Sequence, residues 1–173
     1  MKQSSNPNKA MTMYDLILGF PEQLQKALAL SAQIKTSTPK AEIRNVLVGG
    51  LGGSGIGASI VESLLASHLK VPYSITKTYE VPAFVDAHTL FIASTFSGNT
   101  EETLAALEEA RQREAHIFAS LRGAKPWPWP SKQAMTLCKC PMRLPVPGLF
   151  GLLTGAIAPY PSLIWPDRCA SWR

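Results

Sequence analysis

The sequence predicts an α/β fold, a parallel sheet flanked by helices, from three features. Short apolar runs alternate with amphipathic segments of helical period. Two of those runs end in glycine- or hydroxyl-rich turns that open directly into a helix. The order strand, helix, strand, strand, helix, strand is that of parallel strands joined by crossovers. With 173 residues, 46% of them hydrophobic, the chain is long enough for one domain with its own core.

Residues 1–10 are polar and read as a frayed start, with no apolar stretch of a secretory signal behind them. "YDLILGFPEQLQKALALSAQIK" places Phe20, Leu24, Ala27, Leu28 and Ser31 at helical spacing and predicts one N-terminal amphipathic helix ending before Pro39. Pro21 suits a first helical turn, where its missing N–H would have had no intrahelical partner. "IRNVLVGG" is a β-branched run stopped by glycine, a buried first strand. "ASIVESLLASHL" then predicts a helix with Ile60, Leu64, Leu65 and Leu69 on one face, and "VPYSITKTYE" and "HTLFIAST" predict the second and third strands. "EETLAALEEARQREA" is a helix with Glu101 and Glu102 in its first turn, where the macrodipole favours negative charge, and with Arg111 and Arg113 near its end.

The chemistry lies in two loops. "GGLGGSG" follows the first strand and "STFSGNT" the third; each opens a helix, and each carries hydroxyls. At the carboxyl ends of parallel strands, helix N-termini present free N–H groups to an anion, and glycine lets the backbone approach it closely. The first loop contains a literal G-x-G-x-x-G at Gly50, Gly52 and Gly55, which raises a dinucleotide reading. That reading needs an acidic residue about 20 positions further on, at the tip of the second strand, to hold the ribose. Lys77 stands there, with Glu80 already in the following turn. It also leaves the second loop without a purpose. A phosphomonoester would use both, because serine and threonine hydroxyls together with helix amides satisfy three phosphate oxygens without a lysine. Taken alone, "SGNTEET" has an ordinary alternative, Asn99 or Thr100 capping a helix.

"GGLGGSGIGASIVESLL" and "FIASTFSGNTEETLAAL" resemble the two signature stretches of SIS (sugar isomerase) domains. "MYDLILGFPEQLQKAL" followed by "IRNVLVGGLGGSGIGA" resembles the opening of bifunctional phosphoglucose/phosphomannose isomerases. The resemblance covers residues 13–118. It implies a flavodoxin-like three-layer sandwich and a cofactor-free interconversion of glucose or mannose 6-phosphate with fructose 6-phosphate by proton transfer through an enediol. It also implies a homodimer, and the lack of a secretory signal and of a paired cysteine set makes a cytoplasmic location the expectation. Carried over residue by residue, Gly53 and Ser54 of the first loop and Thr95, Ser97 and Thr100 of the second would hold the sugar phosphate. Thr95 replaces the family's usual serine, and Phe96 a frequent tyrosine. The family's catalytic base, ring-opening histidine and lysine, and an arginine lie further along. No counterpart stands in this chain, where His68, His88 and His116 are isolated, so the chain as written is expected to be inactive. A regulatory SIS module that senses phosphosugars without chemistry would use the same two loops.

Composition breaks at residue 118. Before it there are ten Lys/Arg against eleven Asp/Glu; after it there are seven against one, together with all four Trp, all three Cys and nine of the fourteen Pro. The net charge of +5 therefore belongs to the tail, and no basic face for nucleic acid is expected on the rest. Residues 144–165 carry no charge, but prolines leave only residues 148–158 uninterrupted, too short for a span of about 20 residues. "CKC" and Cys169 match neither a disulfide set nor a zinc spacing, and no metal is expected.

The genetic code suggests what the tail is. When each codon takes the last base of one residue and the first two of the next, both Trp-Pro junctions of "PWPWP" become alanine, and Met135-Thr136 becomes aspartate. With permitted choices elsewhere, the stretch after Phe118 reads "CIASGGKALALAEQAGYDFVQVPD": the rest of a strand, a glycine turn, an alanine-leucine helix and a strand. The third frame meets a stop at Met135-Thr136. The expected organisation is thus an N-terminal segment over 1–40, the first part of an SIS domain over 41–118, and an out-of-frame tail without a domain over 119–173. A sheet interrupted after its third strand and following helix would leave apolar helix surface uncovered.

Overall fold

In the computed structural model, residues 12–31, 38–121, 135–139, 157 and 163 are described. The elements are α1 (Met13–Leu18), α2 (Phe20–Ser31), β1 (Asn45–Gly49), α3 (Gly53–Leu65), β2 (Tyr73–Thr76), β3 (Thr89–Thr95), α4 (Glu101–Gln112), β4 (His116–Leu121) and β5 (Met135–Lys139). All five strands are parallel, in the order β2-β1-β3-β4-β5.

Alternation along the strands builds two cores. Val46, Val48, Leu90, Ile92 and Phe118 project to one face, where Ala58 and Val61 of α3 meet them and Leu24 of α2 packs from outside. Leu47, Phe91, Ala93, Ile117 and Ala119 project to the other, against Ala106, Leu107 and Ala110 of α4. Every residue of β3 is buried, as expected for a central strand covered on both faces. The three layers are those expected of the fold class.

The expected single N-terminal helix is two. Thr12 and Asp15 form a reciprocal capping box on α1, and Gly19 ends that helix by donating to the Asp15 carbonyl at 3.0 Å. Pro21 then lies in the first turn of α2. A second correction concerns α3, which begins at Gly53 inside the glycine loop. Its core stripe runs through Ser54, Gly57, Ala58 and Val61, while Ile60 and Leu64, expected on the buried face, are exposed along with Ile56. Small residues on that stripe bring the helix close to the sheet, Ile56, Ile60 and Leu64 are turned outward, and Leu65 and Leu69, also expected on the buried face, pack against the core partly buried.

The ordered sheet does not stop behind the third strand: β4 crosses residue 118, and β5 pairs with it from Ile117↔Met135 to Leu121↔Lys139. Ile157 and Leu163 enter the α3-side core, and the Leu163 carbonyl accepts from Lys70 N–H at 2.9 Å. Among the described residues beyond 118, those of β5 pair with the sheet, and Ile157 and Leu163 pack on it. Strand pairing uses backbone groups common to every residue, so an open parallel edge accepts "MTLCK" irrespective of side-chain identity.

Two measurements probe this packing. Phe91 fills the α4-side core and presses on Gly49, where a Cβ would lie 2.8 Å from its ring. Phe91→Ala should cost about 3–5 kcal/mol in urea unfolding. Tyr73 donates to the Ala58 carbonyl at 3.2 Å, and burial, with the Glu62 charge, raises its phenol well above the usual value. The unfolded chain then loses this proton near about pH 10 while the folded chain keeps it, so stability falls as pH rises past that point. Tyr73→Phe should flatten this alkaline decline in urea midpoints taken between about pH 9 and about pH 11.

Candidate functional site

The chain leaves β1 and β3 in opposite directions, through α3 out to β2 and through α4 out to β4. The carboxyl ends of these two neighbours therefore flank the point where strand order reverses, the crevice in which open α/β sheets bind ligands. Both loops fall there.

In the first loop Gly50 N–H donates to the Thr76 carbonyl at 3.2 Å, extending the β1–β2 ladder by one step. A Cβ at Gly50 would lie 3.0 Å from the Ser94 carbonyl oxygen and 3.3 Å from Ser54 Cβ; one at Gly55 would lie 2.8 Å from the Gly50 carbonyl oxygen. Gly52 precedes α3 at φ +52°, a left-handed conformation that suits glycine. The first turn of α3 closes when Ser54 and Gly55 donate to the Leu51 carbonyl at 3.0 and 3.3 Å. Gly53 opens that turn, and Ser54 is buried within it. The turn contains no acidic residue.

In the second loop, Thr95 ends β3 and is buried. Its Oγ1 lies 2.9 Å from Thr100 Oγ1 and accepts Gly98 N–H at 3.2 Å. Ser97 Oγ is 3.5 Å from Thr100 Oγ1 and accepts Asn99 N–H at 3.2 Å. Gly98 makes the bend at φ +76°. Thr100 occupies the N-cap of α4, yet its side chain makes no capping bond. Its hydroxyl instead meets those of Thr95 and Ser97, so the ordinary cap reading of "SGNTEET" does not describe it.

The five residues singled out by sequence thus fall into two groups. Thr95, Ser97 and Thr100 form one hydrogen-bonded cluster, and Gly53 and Ser54 lie in the first turn of α3. No hydrogen bond among the described residues joins Ser54 to the three hydroxyls. The groups meet through Gly50, wedged between Ser54 and Ser94. The histidines lie elsewhere. His88 and His116 stand at the amino ends of β3 and β4, and His68 follows α3, all on the side of the sheet opposite the loops. His88 Nδ1 is 2.9 Å from the Glu42 carbonyl oxygen, and His68 Nδ1 is 3.1 Å from Ser67 Oγ.

Two further residues of this region were not among the sequence's site candidates. Ser94 Oγ is buried without a hydrogen-bond partner among the described residues. The Lys77 stem passes close to α3, its Cε 3.3 Å from where a Cβ on Gly55 would lie. Lys77 was visible at the tip of the second strand, but its position beside the first turn of α3 exists only once the crossover has closed.

Residues 41–138 match the SIS domain. The chain belongs to the SIS domain family. A protein of Caldicellulosiruptor bescii named bifunctional phosphoglucose/phosphomannose isomerase is 39% identical over 113 residues, 65% of this chain and 33% of that protein. One of the same name from Thermoplasma acidophilum is 37% identical over 106 residues, 61% of this chain and 33% of that protein. The chain thus matches about a third of the length of these curated relatives. The solved C-terminal domain of glucosamine-fructose-6-phosphate aminotransferase from Francisella tularensis superposes with a TM-score of 0.62 at 16% identity. That match covers 98% of this chain and 54% of the other, and shows likeness of fold. The two loops of this SIS domain stand at the switch point of its sheet.

Proposed function

We propose that this chain carries the hexose-phosphate-binding part of an aldose–ketose isomerase acting on glucose or mannose 6-phosphate and fructose 6-phosphate. The observation that carries the reading is the second loop: the hydroxyls of Thr95 and Ser97 lie 2.9 and 3.5 Å from that of Thr100 at the start of α4, with the N-cap side chain diverted from capping. Oxygen ligands converging on a helix N-terminus suit an anion with several acceptor oxygens. The names of the relatives supply the substrate class. In this reading Gly53 and Ser54 of the first loop and Thr95, Ser97 and Thr100 of the second hold the sugar phosphate, and the isomerisation needs neither cofactor nor metal. The residues that move the proton lie outside those aligned with the family motifs. A cytoplasmic homodimer completes the proposal. Among the described residues no helix is long and apolar enough to cross a membrane.

Calorimetric titration of glucose 6-phosphate tests it. A hydrogen bond to a charged group contributes about 1.5–3 kcal/mol, so Ser97→Ala or Thr100→Ala should weaken binding by about tenfold or more. Unchanged affinity in both variants, or stabilisation by NAD and not by the sugar phosphate, would overturn the reading in favour of a nucleotide site.

We also propose that residues 119–173 are read out of frame, after the loss of one base near the codon of Phe118. Two observations support it. Ser120 Oγ is buried without a partner among the described residues, on the strand face shared by Leu90, Ile92 and Phe118, and the restored frame, with permitted codon choices, places isoleucine there. The restored strand also coincides with β5. Sequencing the DNA across codons 116–124 should reveal one additional base; an uninterrupted frame without it would refute the proposal.

A further inference from the structure

The two helices that open at the switch point differ in their electrostatics. An α-helix presents a partial positive charge at its N-terminus, and carboxylates in the first turn offset it. In α4 both Glu101 and Glu102 occupy that turn, so the three-hydroxyl cluster sits on a helix start already compensated by two negative charges. In α3 no acidic residue does so. A cation is added there instead: Lys77, immediately beyond β2, lays its stem against Gly55 in the first turn of α3. Lys77 enters no ion pair among the described residues, whereas the arginines of α4 are matched to Glu108 and Glu109. Two positive ends of like sign thus meet at the α3 side of the crevice, and no acidic residue stands in the first turn of α3 to offset them.

The turn that carries Lys77 is held on both sides. Thr76 Oγ1 and Thr78 Oγ1 both donate to the Glu80 carbonyl, at 3.2 and 3.1 Å. Just beyond, Glu109 of α4 accepts Val81 N–H at 3.0 Å, and Arg113 donates to the Pro82 carbonyl at 2.9 Å. The lysine is therefore placed by a braced turn and does not depend on a free loop. Ser94 adds a second indication of a ligand. Its hydroxyl is fully buried and has no hydrogen-bond partner among the described residues. It follows Leu90 and Ile92 on the strand face that α3 covers, and so projects toward the same side of the crevice.

From this we infer that Lys77 is a specificity-determining residue of the two-loop site: it supplies the positive potential that makes the crevice select a dianionic sugar ester over the neutral sugar. The inference rests on the hexose-phosphate reading above and extends it. The hydroxyls and amides of the loops recognise oxygen atoms, which a phosphate ester and a free sugar both offer, while the negative charge of α4 works against an anion. Lys77 and the uncompensated start of α3 reverse that balance. Because Lys77 is exposed, its contribution is screened by salt, over a Debye length of about 10 Å at 0.1 M.

The experiment is calorimetric titration of the full 173-residue chain with glucose 6-phosphate, inorganic phosphate and unphosphorylated glucose. The proteins are the wild type, Lys77→Met, Lys77→Arg and Ser97→Ala, each checked by thermal melt. At low ionic strength Lys77→Met should weaken glucose 6-phosphate and phosphate by about fivefold to tenfold, with the loss shrinking as salt is added. Lys77→Arg should retain affinity, and glucose should be unaffected. If the wild type binds the ester and Ser97→Ala weakens it while Lys77→Met leaves it unchanged, the role of Lys77 is overturned and the hexose-phosphate reading stands. If the wild type binds neither ester nor phosphate, both are overturned.

Discussion

The arrangement at the switch point depends on one close approach. Position 50 has no room for a side chain, because a Cβ would lie 3.0 Å from the Ser94 carbonyl oxygen and 3.3 Å from Ser54. Through that contact the turn after β1 rests directly on the end of β3, and α3 starts low enough on the sheet to bury Ser54, Gly57 and Ala58. Were the turn lifted by even a methyl group, the first turn of α3 would rise away from the hydroxyl cluster. The glycines therefore act together: Gly50 sets the approach, Gly52 takes the left-handed bend and Gly55 lets the helix pass the Gly50 carbonyl.

In the proposed hexose-phosphate reading, this geometry separates two tasks that a phosphate-binding loop often combines. Recognition of oxygen atoms falls to α4, whose N-cap threonine turns its hydroxyl toward Thr95 and whose own first-turn glutamates offset the dipole. Positive potential falls to α3, which has no first-turn carboxylate and has Lys77 alongside. A G-x-G-x-x-G match is compatible with either a dinucleotide or a sugar ester, since the glycines serve the same steric ends in both. What differs is the residue beyond β2, where a ribose would call for a carboxylate and a lysine stands instead.

Much of this was legible in the chain. The strands announced themselves as β-branched runs ended by glycine or by hydroxyl-rich turns, and the α4 boundaries followed from acidic residues at one end and arginines at the other. The two loops were legible because they are local: "STFSGNT" carries the three clustered hydroxyls of Thr95, Ser97 and Thr100 within six residues. Less legible was anything set by packing. Ile60 and Leu64 satisfy the helical spacing of a buried face, yet close contact with the sheet selected the neighbouring stripe of small residues. The N-terminal helix was divided at Gly19 by a capping bond to Asp15 that periodicity does not register.

The sequence by itself determined the first three strands and the helices that open from the two loops, their parallel character and the residues of those loops, because periodicity and turn chemistry act over a few positions. Only the tertiary structure decided which face of α3 is buried, that Thr100 gives its hydroxyl to Thr95 and not to the helix backbone, and that Lys77 stands beside Gly55. The last pair is separated by a helix and a strand, and their proximity arises only when the β1–α3–β2 crossover folds back on the sheet. Pairing of "MTLCK" as β5 belongs to the same class. Backbone groups at an open edge bond to any chain that reaches them, so no pattern of side chains could have announced that strand.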